Sequence, residues 1–363
     1  MRFLFIVQGE GRGHMTQAIS LYQILARHGH QLSAVMVGQS QSRIIPQFFK
    51  KQIQAPVFTF YSPNFQLDTK RRGVSFFRTL VYNLERMPAF VRSLFRLRRM
   101  VRIYQPEIMV NFYDPLAAIY AALWRPKIKM VCIAHQYLMM HPRFVFPRGK
   151  RIARWAMLIF TRVSAWGAGK CLALSFRWMP DVPAHNLVVV PPLLRAEIKK
   201  MKPTTENFLL SYILNDGYAN DIAAEHRHYS DLKIMGFWDH RDSPGVTCLQ
   251  ENLKYRQLDD IAFLDAMRRC CGLVSTAGFE SICEAMYLGK PVFMIPVKKQ
   301  IEQYCNAIDA YRAGAGLWGF DFDLTRFLDY IPKHRGNFKS FKKWVHSAEG
   351  VYTSLFKDQI HDE

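Results

Sequence analysis

The 363-residue chain has no uninterrupted apolar run near the roughly 18 residues that a membrane-crossing helix requires. An ordinary transmembrane segment is therefore not expected. The opening Met1-Arg2-Phe3-Leu4-Phe5-Ile6-Val7 stops at Gln8, too short for the core of an export signal. A glycine turn follows where a cleavage site would stand, so these residues read as a buried first strand. The seven cysteines include no Cys-x-x-Cys pair, and Cys270 and Cys271 are adjacent. With no export signal they read as reduced thiols of a cytoplasmic protein, neither a disulfide frame nor a zinc site. Internal repeats and low-complexity segments are absent too.

Acids are the scarce class. Lys and Arg number 49 against 29 Asp and Glu, a net charge of +20. That surplus points to an anionic partner: nucleic acid, a lipid surface or phosphorylated substrates. The imbalance is local. Residues 70–102 hold ten Lys and Arg against the single acid Glu85, and residues 143–170 hold seven with no acid. Arg92, Arg96, Arg99 and Arg102 recur at helical spacing among Phe90, Val91, Leu94, Phe95, Leu97, Val101 and Ile103. Arg151, Arg154 and Arg162 lie beside Trp155, Met157, Leu158, Ile159, Phe160 and Trp166. Basic helices with interleaved aromatics suit an anionic membrane surface. Ordinary sheet-flanking helices, apolar side in and Arg side out, fit the same pattern. No RNA- or DNA-binding motif is present.

Half the residues are apolar, and the length exceeds what one core usually serves, so two domains are expected. Short apolar runs alternate with helical patterns, the mark of parallel sheets. Strands are expected at 3–7, 31–37, 57–61, 108–112, 130–134, 171–175 and 187–190. A second set follows at 208–214, 233–237, 246–249, 273–275 and 291–295. Expected helices include 16–28, 261–269, 279–288, 302–313 and 337–356. The seam is the proline-bearing stretch from Pro191-Pro192 to Pro203.

Two motifs carry chemistry. Gly9-Glu10-Gly11-Arg12-Gly13-His14 follows the first strand and precedes the first helix. Its glycines let the backbone approach a ligand, and the helix N-terminus offers free N–H groups. The dinucleotide fingerprint fails for want of its third glycine, and there is no Walker lysine. His14 stands at the tip of the loop, where a helix N-terminus depresses an imidazole pKa and suits a general base. A histidine packing or capping in the turn is the plainer reading.

The second motif is Ser275-Thr276-Ala277-Gly278-Phe279-Glu280-Ser281-Ile282-Cys283-Glu284-Ala285-Met286-Tyr287-Leu288-Gly289-Lys290-Pro291. It reads strand, glycine turn, helix, stop, strand. Amides at 278–281 can hold a diphosphate, and Glu284, one turn past Glu280, can meet a ribose diol. Gln300-Ile301-Glu302-Gln303-Tyr304-Cys305-Asn306 opens the next helix with polar side chains suited to sugar hydroxyls. A plain strand–helix–strand unit with a solvated Glu284 is the alternative.

Together the motifs resemble GT-B glycosyltransferases that use UDP-sugars. The relatives in question are the UDP-glucosyl- and glucuronosyltransferases and the N-acetylglucosaminyltransferase of the lipid-linked peptidoglycan precursor. The resemblance is specific over about eight residues at the N-terminus and about thirty-two in the second half, where Gly278 to Asn306 looks like the donor signature. It implies an α/β fold of two Rossmann-like domains facing each other across a cleft. Residues 1–194 would bind the acceptor, 195–336 the nucleotide sugar, and the helix in 337–363 would be free to pack back on the first domain.

By the same resemblance His14 is the base that deprotonates the acceptor, and Gly11, Arg12 and Gly13 lie near acceptor or phosphate. Asp114 matches the acid that orients the base in some plant members, or caps the helix after Pro115. Gly278, Phe279, Glu280 and Ser281 match the diphosphate turn, and Glu284 the ribose acid. Glu302 and Gln303 match the donor-sugar pair, with Gln300 and Asn306 beside them. The aromatic or His near the start of the signature is replaced by Thr276-Ala277, and the plant base-stacking segment is missing. The loop Asn215-Asp216-Gly217 is a further phosphate candidate.

The implied reaction is a single inverting displacement, with helix N-termini in place of a metal and no cofactor beyond the sugar nucleotide. Closure about the 191–203 seam would join base and donor. The acceptor is expected to be lipid-linked or membrane-held, with the chain peripheral at the inner face through the basic helices and no nucleic-acid role. Rival readings are a sugar-nucleotide epimerase of the same architecture and a non-enzymatic lipid- or nucleic-acid-binding module. A nicotinamide dehydrogenase fails, because Val37-Gly38-Gln39 offers no ribose acid.

Overall fold

The computed structural model describes residues 1–40, 45–64, 66, 75–213, 218–238 and 245–361. They divide into two compact units. One holds the described residues of 1–66, 76–195 and 343–363; the other is built chiefly from 196–342.

The first unit is a parallel sheet in the order β3-β2-β1-β4-β5-β6-β7. Its strands are β1 (Arg2–Gln8), β2 (Gln31–Gln39), β3 (Val57–Tyr61), β4 (Ile108–Phe112), β5 (Lys129–Ala134), β6 (Lys170–Leu174) and β7 (Leu187–Val190). Central strands buried on both faces are largely apolar, which is why Phe3–Val7 reads as an unbroken run and Ile108–Phe112 is interrupted only by Asn111. Strand β1 pairs with β2 on one side and β4 on the other. Connections therefore leave in opposite directions from β1 and β4, and a crevice opens at their C-terminal ends, where ligands of such sheets bind.

The second unit repeats the design with β8 (Leu209–Ile213), β9 (Ile234–Trp238), β10 (Val246–Gln250), β11 (Leu253–Gln257), β12 (Gly272–Ser275), β13 (Val292–Met294) and β14 (Gly316–Trp318). Their order is β10-β11-β9-β8-β12-β13-β14, parallel except for β10 against β11. Its reversal point lies between β8 and β12, so the residues after Ser275 stand at the mouth of that crevice. The core gathers Leu209, Ile213, Ile234, Tyr255, Val274, Phe293 and Phe327.

Several elements depart from expectation. The first helix begins at Arg12, four residues early, so Arg12, Gly13 and His14 form its first turn rather than a loop. Strands β11 and β14 escaped the pattern: Leu253-Lys-Tyr-Arg-Gln is a polar edge alternation, and β14 has three residues. The C-terminal stretch is two helices, Phe338–His346 and Ala348–His361. The second packs on the first unit. Tyr352 donates to the Pro191 carbonyl at 3.0 Å, Phe356 meets Phe3 edge-on at 5.2 Å, and Glu349 pairs with Arg27 at 2.9 Å.

Candidate active site

In the first unit, β1 ends on a backbone that must pass close to β2. The Gly9 amide donates to the Gly38 carbonyl at 2.6 Å, and a Cβ at Gly9 would stand 2.6 Å from that oxygen. Only glycine fits there. Glu10 is spent locally, its carboxylate accepting from the Ser40 amide. Gly11 is the helix N-cap, with no side-chain cap and open space where its Cβ would point. Arg12 lies over the Phe48 ring at 5.4 Å, and Gly13 follows in the first turn.

His14 is half-buried in that turn. Its Nδ1 pairs with the Gln17 Oε1 at 3.2 Å, and its ring stacks on Tyr113 with centroids 5.8 Å apart and planes at 26°. Burial lowers its pKa from 6.5 to about 4, against a smaller upward pull from Gln17. The imidazole is therefore neutral near pH 7.

Tyr113 and Asp114 stand at the end of β4. Tyr113 holds the left-handed φ of 64°, rare outside glycine, and its hydroxyl meets Thr161 at 2.8 Å. Asp114 is fully buried and caps the helix Pro115–Trp124, its carboxylate accepting from the Leu116 amide at 2.9 Å. Asn111 locks the turn, with Oδ1 accepting from the Asp114 amide and Nδ2 donating to its carbonyl. Burial pushes the Asp114 carboxyl up to about 6, partly countered by its hydrogen bond with Ser62 and by the Leu116 and Ala117 amides. Of the two roles open to Asp114, the structure displays the cap. The His14 side chain hydrogen-bonds Gln17, not Asp114.

In the second unit, β12 runs through Thr276 and Ala277 to Gly278, the N-cap of the helix Phe279–Tyr287. Gly278 lends no side chain to the cap, and Glu280 sits in the first turn, at the positive end of the helix dipole. Phe279 and Ser281 are buried, the latter donating to the Gly278 carbonyl at 3.3 Å. Glu284, 1% exposed, lies one turn on. Glu280, Glu284 and Asp309 all bear on the buried Cys283, whose thiol is pushed up by desolvation first and then by these carboxylates.

The helix Ile301–Arg312 starts at the Gln300 N-cap, again without a side-chain cap, with Glu302 in its first turn. Asn306 ties the two helix starts together, Nδ2 donating to the Ala277 carbonyl at 3.0 Å. Its Oδ1 is buried with no hydrogen-bond partner among the described residues. Gln303 is turned inward, its Oε1 accepting from the Val297 amide at 2.8 Å, so that oxygen shapes the preceding loop. The same loop is held by Tyr218, whose hydroxyl accepts from the Lys298 amide at 3.0 Å.

The motif reading missed Gln17, Tyr113, Tyr218 and Asp309. Gln17 was within reach, three residues past His14 on one helix face. The positive φ of Tyr113 has no sequence signature. The loop Asn215-Asp216-Gly217 falls outside the described residues. The chain does contain one Asp-x-Asp triplet, Asp321-Phe322-Asp323. Its Asp323 caps the helix Leu324–Tyr330, accepting from the Arg326 amide at 2.9 Å, and Phe322 is core.

Comparison with known proteins agrees with this architecture. The family model described as glycosyl transferase family 1 matches residues 1–333. The glycotransferase of kitacinnamycin is 14% identical with a TM-score of 0.64, covering 99% of this chain and 98% of that one. The spinosyn rhamnosyltransferase SpnG complexed with thymidine diphosphate is 14% identical at 0.60, covering 98% and 100%. Acinetobacter baumannii MurG is 14% identical at 0.55, covering 98% and 99%. No curated protein sequence matches the chain. With two mostly parallel, helix-flanked sheets, and a family match across more than nine-tenths of its length, this chain belongs to glycosyl transferase family 1 and has the GT-B fold.

Proposed function

We propose that the chain transfers a sugar from a UDP-sugar to a hydroxyl acceptor, with inversion and without a metal. The observation that carries this reading is the pair of uncapped helix starts at Gly278 and Gln300, tied by Asn306 at the reversal point of the second sheet. Each start concentrates about half a positive charge on its backbone amides where a diphosphate would sit. Those amides stabilise the charge that grows on the leaving group, as a cation otherwise would. The acceptor oxygen forms its bond to the anomeric carbon as the carbon–diphosphate bond breaks. The acceptor proton passes to His14 Nε2, and the electron pair leaves with the diphosphate. Glu284 is assigned to the ribose, and Glu302 with the remaining Gln303 donors to the sugar.

A membrane-held acceptor is supported by the outer surface of the first unit. The helix Phe76–Glu85 and the start of the next expose Phe77, Leu80, Val81, Leu84 and Met87, an apolar stripe at helical spacing. The helix Met87–Tyr104 buries Phe90, Leu94, Leu97 and Val101 yet exposes Val91 and Phe95 among Arg92, Arg96 and Arg99. The helix Arg151–Ser164 exposes Ile152 at 85% and Trp155 at 67% beside Arg151 and Arg154. Solvated sheet-flanking helices have no need of large apolar groups on the water side. No helix among the described residues is long and apolar enough to cross a membrane, and the proposed placement is peripheral, on an anionic inner leaflet.

A thermal-shift series with UDP, UDP-sugars and the thymidine counterparts, without added metal, tests the donor assignment. A ligand at 100 times its Kd adds about 2.7 kcal/mol to folding stability. A shift with a uridine ligand that Glu284→Gln removes supports it, and the best sugar names the substrate. A shift with thymidine ligands alone overturns the choice of base, and no shift with any nucleotide overturns the donor site.

A further inference from the structure

The reading of His14 as base leaves open what holds its imidazole, and the carboxylate best placed by sequence is committed elsewhere. We propose that Gln17 and Tyr113 are positioning residues for His14, Gln17 fixing the tautomer and Tyr113 fixing the plane of the ring. This inference rests on the proposed transferase reading.

The geometry for Gln17 is local. It lies three residues after His14 on the helix Arg12–Arg27, so both side chains project from one face. Gln17 is buried, and its Oε1 stands 3.2 Å from His14 Nδ1. With that oxygen as acceptor, Nδ1 carries the proton and Nε2 carries the basic lone pair. A carboxylate in this place would orient the ring and also stabilise the imidazolium. A neutral amide orients it without that second effect.

Tyr113 is a fixed plate. Its backbone sits in the sparsely populated left-handed region, held by the Asn111–Asp114 turn that follows β4. Its hydroxyl is anchored on the buried Thr161, and its ring meets Tyr137 and Phe160 edge-on at 5.5 and 5.6 Å. The imidazole stacks on the remaining face. Ring plane and tautomer are thus set by different elements, β4 and the first helix. This division leaves the carboxylate of Asp114 to cap its own helix and to meet Ser62.

Two-bond proton–nitrogen NMR on histidine-labelled protein reads the tautomer and titration of His14 without donor or acceptor. The His14→Ala spectrum assigns the resonance. The wild type is expected to show the Nδ1–H form and to remain neutral to below pH 5. Gln17→Glu, nearly isosteric, should keep that tautomer and raise the proton affinity of the ring at least tenfold. Gln17→Leu should move the population toward Nε2–H. Tyr113→Leu should leave the tautomer and raise the titration midpoint as the ring loses its cover.

An Nε2–H wild type overturns the assignment of Gln17, and this measurement needs no variant to fold beyond the assigning His14→Ala. So do unchanged tautomer and midpoint in both Gln17 variants. An unchanged midpoint in Tyr113→Leu overturns the assignment of Tyr113. Sugar transfer by His14→Ala is the separate check. Turnover that survives it removes the base reading while the NMR result stands alone. Turnover lost in His14→Ala, with Gln17→Leu leaving both NMR and the pH–rate profile unmoved, defeats only the positioning inference. Where both readings hold, Gln17→Leu costs about 10- to 100-fold in kcat, less than the 100- to 10,000-fold that general base catalysis contributes.

Discussion

Burial favours the neutral forms of both His14 and Asp114, and the effects on stability have opposite signs. His14 falls from 6.5 to about 4, so between these values the unfolded chain binds a proton that the folded chain refuses. Stability from this residue is full above pH 6.5 and is lost as pH falls toward 4. Asp114 rises from 3.8 to about 6, so in that window the folded chain keeps a proton that the unfolded chain has released. Stability from Asp114 is greatest below pH 3.8 and is lost as pH rises through 6. Each amounts to at most about 3 kcal/mol, and over the shared range they largely cancel. Denaturant melts at pH 4.5 and 7.5 separate them. Relative to wild type, His14→Asn should gain stability at pH 4.5, and Asp114→Asn should gain less there than at pH 7.5. At pH 7.5 Asp114→Asn keeps an N-cap side chain and sheds a buried charge, so its melting temperature should match or exceed wild type. Asp114→Ala loses the cap and should cost about 1 kcal/mol. If Asp114→Asn is instead less stable at pH 7.5, the hydrogen bond between the carboxylate and Ser62 outweighs the cost of the buried charge.

Helix starts are where fold and chemistry compete for the same amides. A Ser, Thr, Asp or Asn at Gly278 would cap the helix Phe279–Tyr287, and nothing steric forbids it. The backbone there is extended at φ −78°, and an added Cβ would meet nothing closer than 3.7 Å. Gly278→Asp should therefore raise stability by a few tenths to about 1 kcal/mol. The same carboxylate would take the amides and repel a diphosphate, so the thermal shift given by nucleotide should fall at least tenfold in apparent affinity. A variant that is stabilised and still binds would remove the diphosphate from this turn. The turn was legible in the sequence because strand, glycine and helix signals coincide at Ser275–Glu284. The start of the first helix was not: Gly11 and Gly13 look like loop, and only the open N-cap geometry shows Arg12 already helical. Asp114 was legible as a residue but ambiguous in role, since an acid before proline serves equally as cap or catalytic partner. Tyr113 was illegible, because its importance lies in a left-handed backbone and in rings from distant helices. Gln303 read as a sugar ligand because the motif records its position, while the direction of its amide oxygen is set by the Val297 amide.

At the scale of the whole molecule the question is what the net charge of +20 attracts. Charge alone does not distinguish a bilayer from nucleic acid, because both are polyanions and both attractions fade with salt. The exposed apolar groups make the distinction, since Phe77, Leu80, Leu84, Ile152 and Trp155 gain nothing from a phosphate backbone and much from an acyl boundary. Each Lys or Arg at an anionic surface is worth about 1 kcal/mol, so the basic helices would dominate capture at low ionic strength. Vesicle co-sedimentation with phosphatidylglycerol mixed into phosphatidylcholine separates the two contributions. The wild type should bind these vesicles at low salt, bind pure phosphatidylcholine weakly, and retain part of its binding at about 0.5 M salt, where the Debye length is only a few ångströms. Ile152→Ser with Trp155→Ser should keep the salt-sensitive fraction and lose the retained one. Charge reversal at Arg92, Arg96 and Arg99 should do the converse, lowering capture at low salt. Binding that vanishes with salt in the wild type as fully as in the Ser variant, with duplex DNA competing as well as vesicles, would leave the surface a generic polyanion binder and remove the case for a membrane-held acceptor.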